Sequence, residues 1–170
     1  MTGIDVALLL LRLWAGLVII AHGVNHGRTL EGTAKWFASK GFRSEMLNAR
    51  ISALNEIAIG VAMIAGLLTS VAAAGLLATM FVAFWSIHRL VGFFNFHRPD
   101  EGYEYVTTLA VIALALAIAG PGRYSVDEAL GIAGNLDGWV GLAIVGAGLL
   151  VAVGQLATFW RKPAVEGGQA

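Results

Sequence analysis

The chain of 170 residues contains no cysteine. Without a thiol it forms no disulfide, carries no thiolate nucleophile or persulfide, and ligates no iron–sulfur cluster through cysteine. Charge is also scarce. Asp, Glu, Lys and Arg make up 13% of the residues, against about a quarter in soluble domains. Its 11 basic residues balance 11 acidic ones, so nothing electrostatic favours a nucleic-acid partner. The usual chemical signatures are missing too: there is no phosphate-binding glycine loop, no HExxH and no serine-hydrolase elbow. MTGIDVA has no basic n-region, and the apolar run behind it carries Arg12 with no small-x-small site after it. The N-terminus therefore reads as a retained first helix and not as a signal peptide.

What is abundant is apolar sequence. The chain is 58% hydrophobic, with a mean hydropathy of +0.76. This composition predicts an integral membrane protein, with lipid as its first partner. Five apolar segments stand out, at residues 4–23, 51–68, 71–88, 103–120 and 138–160. A membrane span takes roughly 17–25 residues, so the fold class is an all-α transmembrane helical bundle. The second and third segments merge into one apolar run over residues 57–87. As a single helix it would be roughly 46 Å long, too long for one span. Thr69-Ser70 is the polar pair inside it, and the turn of a hairpin is predicted there. Small residues recur every four positions at Ala58-Ala62-Gly66, Gly75-Thr79-Ala83, Ala113-Ala117 and Ala143-Ala147. Such stripes let helices approach closely within a bundle.

The connections differ in character. Residues 24–50 form a long basic loop, in which Thr33 can cap a short helix ended by Gly41. Trp36, Phe37 and Phe42 with Lys35 and Lys40 suit a segment lying in the headgroup region. Residues 89–102 form an aromatic loop broken by Pro99. In GPGRYSVDEALG, Ser125 and Glu128 have capping-box spacing, which predicts a short helix ending near Gly131. Arg28, Lys35, Lys40, Arg43, Arg50, Arg89, Arg98, Arg161 and Lys162 fall on one side if there are five spans, and Arg123 on the other. The positive-inside rule then places the N-terminus outside and the C-terminus in the cytoplasm of a multi-pass plasma-membrane protein.

Ionisable groups inside apolar segments need partners or water. Arg12 interrupts ALLLLRLWAGLVII, and Glu56 follows Asn55 just before IAIGVAMIAGLL. His22 and His88 close similar runs, and Thr107 and Thr108 lie early in the fourth segment. Depth along five alternating helices places Arg12 near mid-membrane, roughly 12 Å below the outer surface. It places His22, Asn55, Glu56, His88, Thr107 and Thr108 in one cytoplasmic-leaflet layer. Three readings of this layer compete. The first is structural: Glu56 pairs with Arg12 or a histidine, or Arg12 snorkels toward Asp5. The second is a pocket that exchanges protons with a lipid-soluble quinone. The third is a metal or haem site at His22 and His26, which have i,i+4 spacing, with His88 and His97 contributing from the loop. Gly23 and Gly27 weaken the helix under that pair, and no carboxylate completes a known motif.

The run LRLWAGLVIIAHGVNHG, followed by EGTAKWFASKGF, NEIAIGVAMIAGLLT and GPGRYSVDEAL, resembles the DoxX family of small bacterial membrane proteins over about residues 8–131. The matching positions are Arg12, His22, Gly23, Glu56 and Arg123, while His26 stands where the family often has lysine. The resemblance implies a four-helix core over residues 1–136 with interfacial loop 24–50, an added fifth C-terminal transmembrane helix over 137–160, and a polar cytoplasmic tail over 161–170. It also implies a bacterial inner membrane. For function it implies a subunit or accessory protein of a quinone-linked redox system, with protein partner subunits or an oligomer. The competing functions are a non-catalytic scaffold that stabilises a larger complex through its last helix, and a small transporter lined by Arg12 and Glu56. No inverted repeat supports the transporter.

Overall fold

A computed structural model describes residues 2–96 and 101–163. His97, Arg98, Pro99 and the end of the tail from residue 164 lie outside the described residues. The fold is an all-α membrane bundle. α1 (Gly3–Arg28) is followed by the short α2 (Leu30–Ser39), then by α3 (Glu45–Ala65) and α4 (Thr69–Ser86). A 3₁₀ turn (His88–Leu90) leads through the aromatic loop to α5 (Glu104–Ala119). Two single-turn helices, α6 (Val126–Ala129) and α7 (Ala133–Leu136), precede α8 (Gly138–Phe159). α1, α3, α4 and α8 are long and apolar enough to cross a membrane, and the 16-residue α5 is apolar but shorter. The protein is therefore a multi-pass membrane protein.

Local signals set the bounds of several helices. Thr2 and Asp5 form a reciprocal capping box at the start of α1. α1 then runs on through Gly23 and Gly27 to Arg28, one and a half turns beyond the expected end. Isolated glycines cost a helix about 1 kcal/mol each, and packing against α3 outweighs that. α2 starts at Leu30 with Thr29 before it, so Thr33 is not its cap. The Thr33 hydroxyl instead donates to the His26 carbonyl at 3.0 Å. Ser125 accepts from the Glu128 N–H at 3.1 Å and starts α6, and Gly131 follows with positive φ; the expected short helix forms where the spacing placed it.

The α3–α4 hairpin turns earlier than expected. Gly66 ends α3 at φ 65°, Leu68 also lies in the left-handed region at φ 46°, and α4 has begun by Thr69. Thr69 and Ser70 are buried in the first turn of α4. A carboxylate explains why polar residues sit there and apolar ones make the turn. Asp127, on α6, accepts from the Leu68 N–H at 2.7 Å and the Thr69 N–H at 2.8 Å. This caps α4 at the positive end of its dipole.

The long helices pack as an up-and-down bundle. Asp5 and Arg123 meet at one end, where the Arg123 N–H donates to the Asp5 carboxylate. Gly41 and Arg161 meet at the other. α1 packs most extensively on α3, where Gly16 and Gly60 face each other. A Cβ on Gly60 would stand 2.6 Å from the Gly16 carbonyl oxygen, so the crossing depends on the missing side chain. α8, the expected fifth C-terminal transmembrane helix, packs closely on the others. It lies across α4 and α5, burying Val145, Ala152 and Leu156, and Val145 joins the main apolar core with Ala73, Leu76, Ala113 and Leu116. Its end is tied to the α2–α3 connection. Arg43 N–H donates to the Phe159 carbonyl at 2.7 Å, Arg161 N–H to the Gly41 carbonyl at 2.9 Å, and the Trp160 indole to the Lys40 carbonyl at 2.9 Å.

Two charge-assisted hydrogen bonds at α4 make Asp127→Ala destabilising by at least about 2 kcal/mol, read from thermal unfolding in detergent. Gly66→Ala has the same sign, because a Cβ there overlaps the Arg12 guanidinium and the backbone has positive φ. Gly134→Ala, at an open position, is the near-neutral control. Equal midpoints for all three variants would contradict this account.

Candidate functional site

Buried charge marks two places, at different levels along α3. Arg12 is fully buried on α1. Nine residues from Gly3, it lies roughly 14 Å along the helix, level with the α3–α4 turn. Its Nη1 donates to the Met63 carbonyl at 3.4 Å and its Nη2 to the Tyr124 carbonyl. Met63 lies in the last turn of α3, whose carbonyls lack helical partners and sit at the negative end of the dipole. The Asp127 carboxylate is near enough for its charge to act on the guanidinium. Arg12 therefore joins α1, the end of α3 and the segment that carries α6. It pairs with neither Glu56 nor Asp5. The Asp5 carboxylate is engaged by Thr2 and by the Arg123 backbone N–H.

Glu56 lies near the middle of α3, roughly 10 Å along the helix from Met63. It is 3% exposed on α3. Ser52, one turn earlier, donates to Oε1 at 2.6 Å. His26 on α1 places Nδ1 3.2 Å from Oε2, yet no donor is aligned on Oε2 for a hydrogen bond. The Ser52 hydroxyl also lies 3.4 Å from His26 Nδ1. The carboxylate thus touches both neighbours directly. In a hydrolytic triad the histidine stands between acid and serine, so this is not nucleophile-activating geometry. It suits holding and exchanging a proton.

Gly23 makes the cluster possible. A Cβ there would stand 2.8 Å from the Ala53 carbonyl oxygen and 2.9 Å from Glu56 Cβ. Its absence brings α1 against α3, and His26, less than a turn further on, reaches the carboxylate. His26 packs beside the rings of Trp36 and Phe37, at centroid distances of 6.3 and 6.4 Å.

Two cavities meet at His26. The inner one, about 100 Å³, is lined by His26, Glu56, Ser52, Asn55, Thr79, Gln155 and aromatic residues of the α2 region. The outer one, about 270 Å³, is lined by His26, Trp36 and the polar residues Asn25, Thr29 and Thr33 at the end of α1 and start of α2. Asn55 reaches across the inner cavity to donate to Thr79 on α4 at 3.3 Å. Gln155 on α8 donates to Asn48 at 3.3 Å, and Asn48 in turn donates to the Arg43 carbonyl at 2.9 Å.

Of the layer expected from depth, Asn55 and Glu56 line this cavity. His22 does not. It stacks on Tyr105 with ring centroids 5.3 Å apart and lies 6.4 Å from the His26 ring. His88 sits in the 3₁₀ turn with Nδ1 2.6 Å from the Glu101 carbonyl oxygen. Thr107 and Thr108 bond to carbonyls of their own helix, Thr107 to Tyr103 and Glu104, Thr108 to Glu104. Among the described residues no group of three or more His, Cys, Asp or Glu side chains forms a metal site; His97 lies outside them. His26, Ser52 and Gln155 are the cavity residues that the sequence did not single out for the carboxylate. For His26 the signal was present, as HGVNH continues the i,i+4 face of α1 once the helix is not stopped at Gly23.

Ser52→Ala leaves Oε1 buried without its donor. A loss of about 1–3 kcal/mol follows, measured by thermal unfolding of the purified protein. An unchanged midpoint would mean that Ser52 does not satisfy the carboxylate.

No curated protein and no solved structure matches the chain. The DoxX family model matches residues 7–89, which hold both Arg12 and the whole Glu56–His26–Ser52 cluster, together with α2, α3 and α4. Gly120–Asp127 and α8 lie beyond the matched stretch. Over residues 7–89 this membrane protein is similar to the DoxX family.

Proposed function

We propose that the protein is a membrane subunit or accessory protein of a quinone-linked redox system, and that Glu56 and His26 exchange protons with the quinone. The observation that carries this reading is the position of His26. It lies 3.2 Å from a buried carboxylate oxygen that no donor engages, and it lines both the inner cavity and the polar outer cleft. A quinone takes up two electrons and two protons as it becomes a quinol. The chain has no cysteine to ligate a cluster, and in this reading a partner redox subunit supplies the electrons. The protons reach the ring from the outer cleft through His26 and Glu56, with Ser52 holding the carboxylate in place. Asn55 and Gln155 supply amide groups for the ring oxygens.

The outer cleft faces the cytoplasm in this reading. Arg28, Lys35, Lys40, Arg43, Arg89 and Arg161 belong to the α2 end of the bundle, and Arg123 to the other. This distribution supports an N-terminus outside and a C-terminus inside the bacterial plasma membrane, with α5 as a fifth crossing. The absence of native cysteine makes single-cysteine labelling free of background. A membrane-impermeant maleimide is expected to label Arg123→Cys in intact cells and to spare Ser39→Cys until the membrane is opened. The reverse pattern would invert the topology.

Glu56→Gln keeps the size of the side chain and removes the ionisable proton site. In the intact complex it is expected to lower quinone-linked turnover by about a hundredfold while partner co-purification stays normal. Unchanged turnover with normal assembly would overturn the proton role and leave a scaffold.

A further inference from the structure

The inner cavity is not closed on the membrane side. Ile51, Asn55, Thr79 and Gln155 line it and also line a second, larger space of about 600 Å³ between α3, α4 and α8. That space is an apolar groove. Its walls include Ala58 and Ala62 on α3, Gly75 and Ala78 on α4, and Ala147 and Gly148 on α8. The small side chains leave a trough where larger ones would have filled the helix crossing. A polar girdle formed by Asn55, Thr79 and Gln155 separates the trough from Glu56, and Asn55 bridges to Thr79 across it.

We infer that this groove holds the single isoprenoid tail of a quinone, with the girdle marking the boundary between tail and ring. The inference rests on the proposed quinone reading and adds the ligand's shape and its route of entry, laterally from the bilayer between α3, α4 and α8. Three observations select this occupant over a phospholipid. The inner cavity, about 100 Å³, is lined by amide, hydroxyl and aromatic side chains, which suit a planar hydrogen-bonding ring. No lysine or arginine among the described residues lines either cavity, while the buried Glu56 carboxylate does line the inner one; an anionic phosphate is repelled there and a neutral hydrogen-bonding ring is not. Glu56 Oε2 faces His26 at 3.2 Å without an aligned hydrogen bond, which leaves it capacity to accept from a ligand group or to take a proton. The trough gives the tail a groove of aliphatic carbon, and the ring is held by the polar groups above it.

The test uses the purified full-length protein in lipid nanodiscs, with two probes: a long-tailed isoprenoid benzoquinone and a tail-less methoxybenzoquinone. Ala58 and Ala147 are exposed and line the groove, so phenylalanine at either position obstructs it from the lipid side without entering the core. Ala58→Phe and Ala147→Phe are expected to weaken binding of the long-tailed quinone by about tenfold or more, with the tail-less ring bound as in the wild type. If both probes bind both variants as they bind the wild type, the groove assignment is wrong and the Glu56 reading stands. If neither probe binds the wild-type protein, the Glu56 reading itself falls. On wild-type protein, a long-tailed quinone carrying a photoreactive group at the tail end is expected to label α3, α4 and α8 along the groove. Labelling confined to α1 or α5, or a groove retaining phospholipid that the quinone does not displace, would overturn the inference whatever the variants do.

Discussion

The burial of Arg12 is the constraint on which one end of the molecule is built. A guanidinium with no solvent exposure carries a desolvation cost of several kcal/mol unless its donors are met and its charge is balanced. The bundle supplies carbonyls, one from the end of α3 and one from Tyr124. To bring the second one in, residues 120–127 fold back over the α3–α4 turn, and Gly66 leaves the space they need. The same fold-back delivers Asp127 to the backbone N–H groups of Leu68 and Thr69. Arginine beside the negative end of one helix and aspartate at the positive end of the next are both favourable. The hairpin, the α6 segment and α1 thus form a single unit, and each part is needed to satisfy the others.

The contact that carries α1 along α3 links this end to the Glu56 cluster. Gly16 and Gly60 allow the crossing, and Gly23 keeps the backbones close where His26 meets Glu56. The two buried charges are treated differently. Arg12 is enclosed by backbone and closed off. Glu56 is held by a serine on one oxygen, faces a histidine on the other, and opens on a cavity. In the proposed function it is this second arrangement that takes a ligand and passes a proton. This difference, more than burial itself, separates a structural lock from a site.

The helices themselves were legible in the sequence because apolar length and Gly punctuation dominate them, and the Ser125 cap was legible because its spacing is local. What failed was non-local. The Thr69-Ser70 turn was misplaced because Asp127, 58 residues away from Thr69, supplies the cap that lets those residues begin a helix. His22 was placed beside Glu56, and His26 was not, because Gly23 was read as a helix end; in the structure it is a contact. α8 was legible as a fifth apolar helix, but its ties to the core through Val145 and to the Lys40 carbonyl through Trp160 were not. Arg12 and Glu56 were both recognised as costly groups. Depth along the helices already separated them; what it could not give was their partners, because the register of α1 against α3 decides that Arg12 meets the Met63 carbonyl and Glu56 meets His26.

The account's central claim is that Glu56 is a proton-exchanging group in contact with a quinone. It is tested most directly by infrared difference spectroscopy of the reconstituted protein as bound quinone is electrochemically reduced. The claim predicts a change in a carboxyl C=O band that shifts in deuterated water and disappears in Glu56→Gln. A spectrum in which wild type and Glu56→Gln show the same carboxyl bands would contradict it.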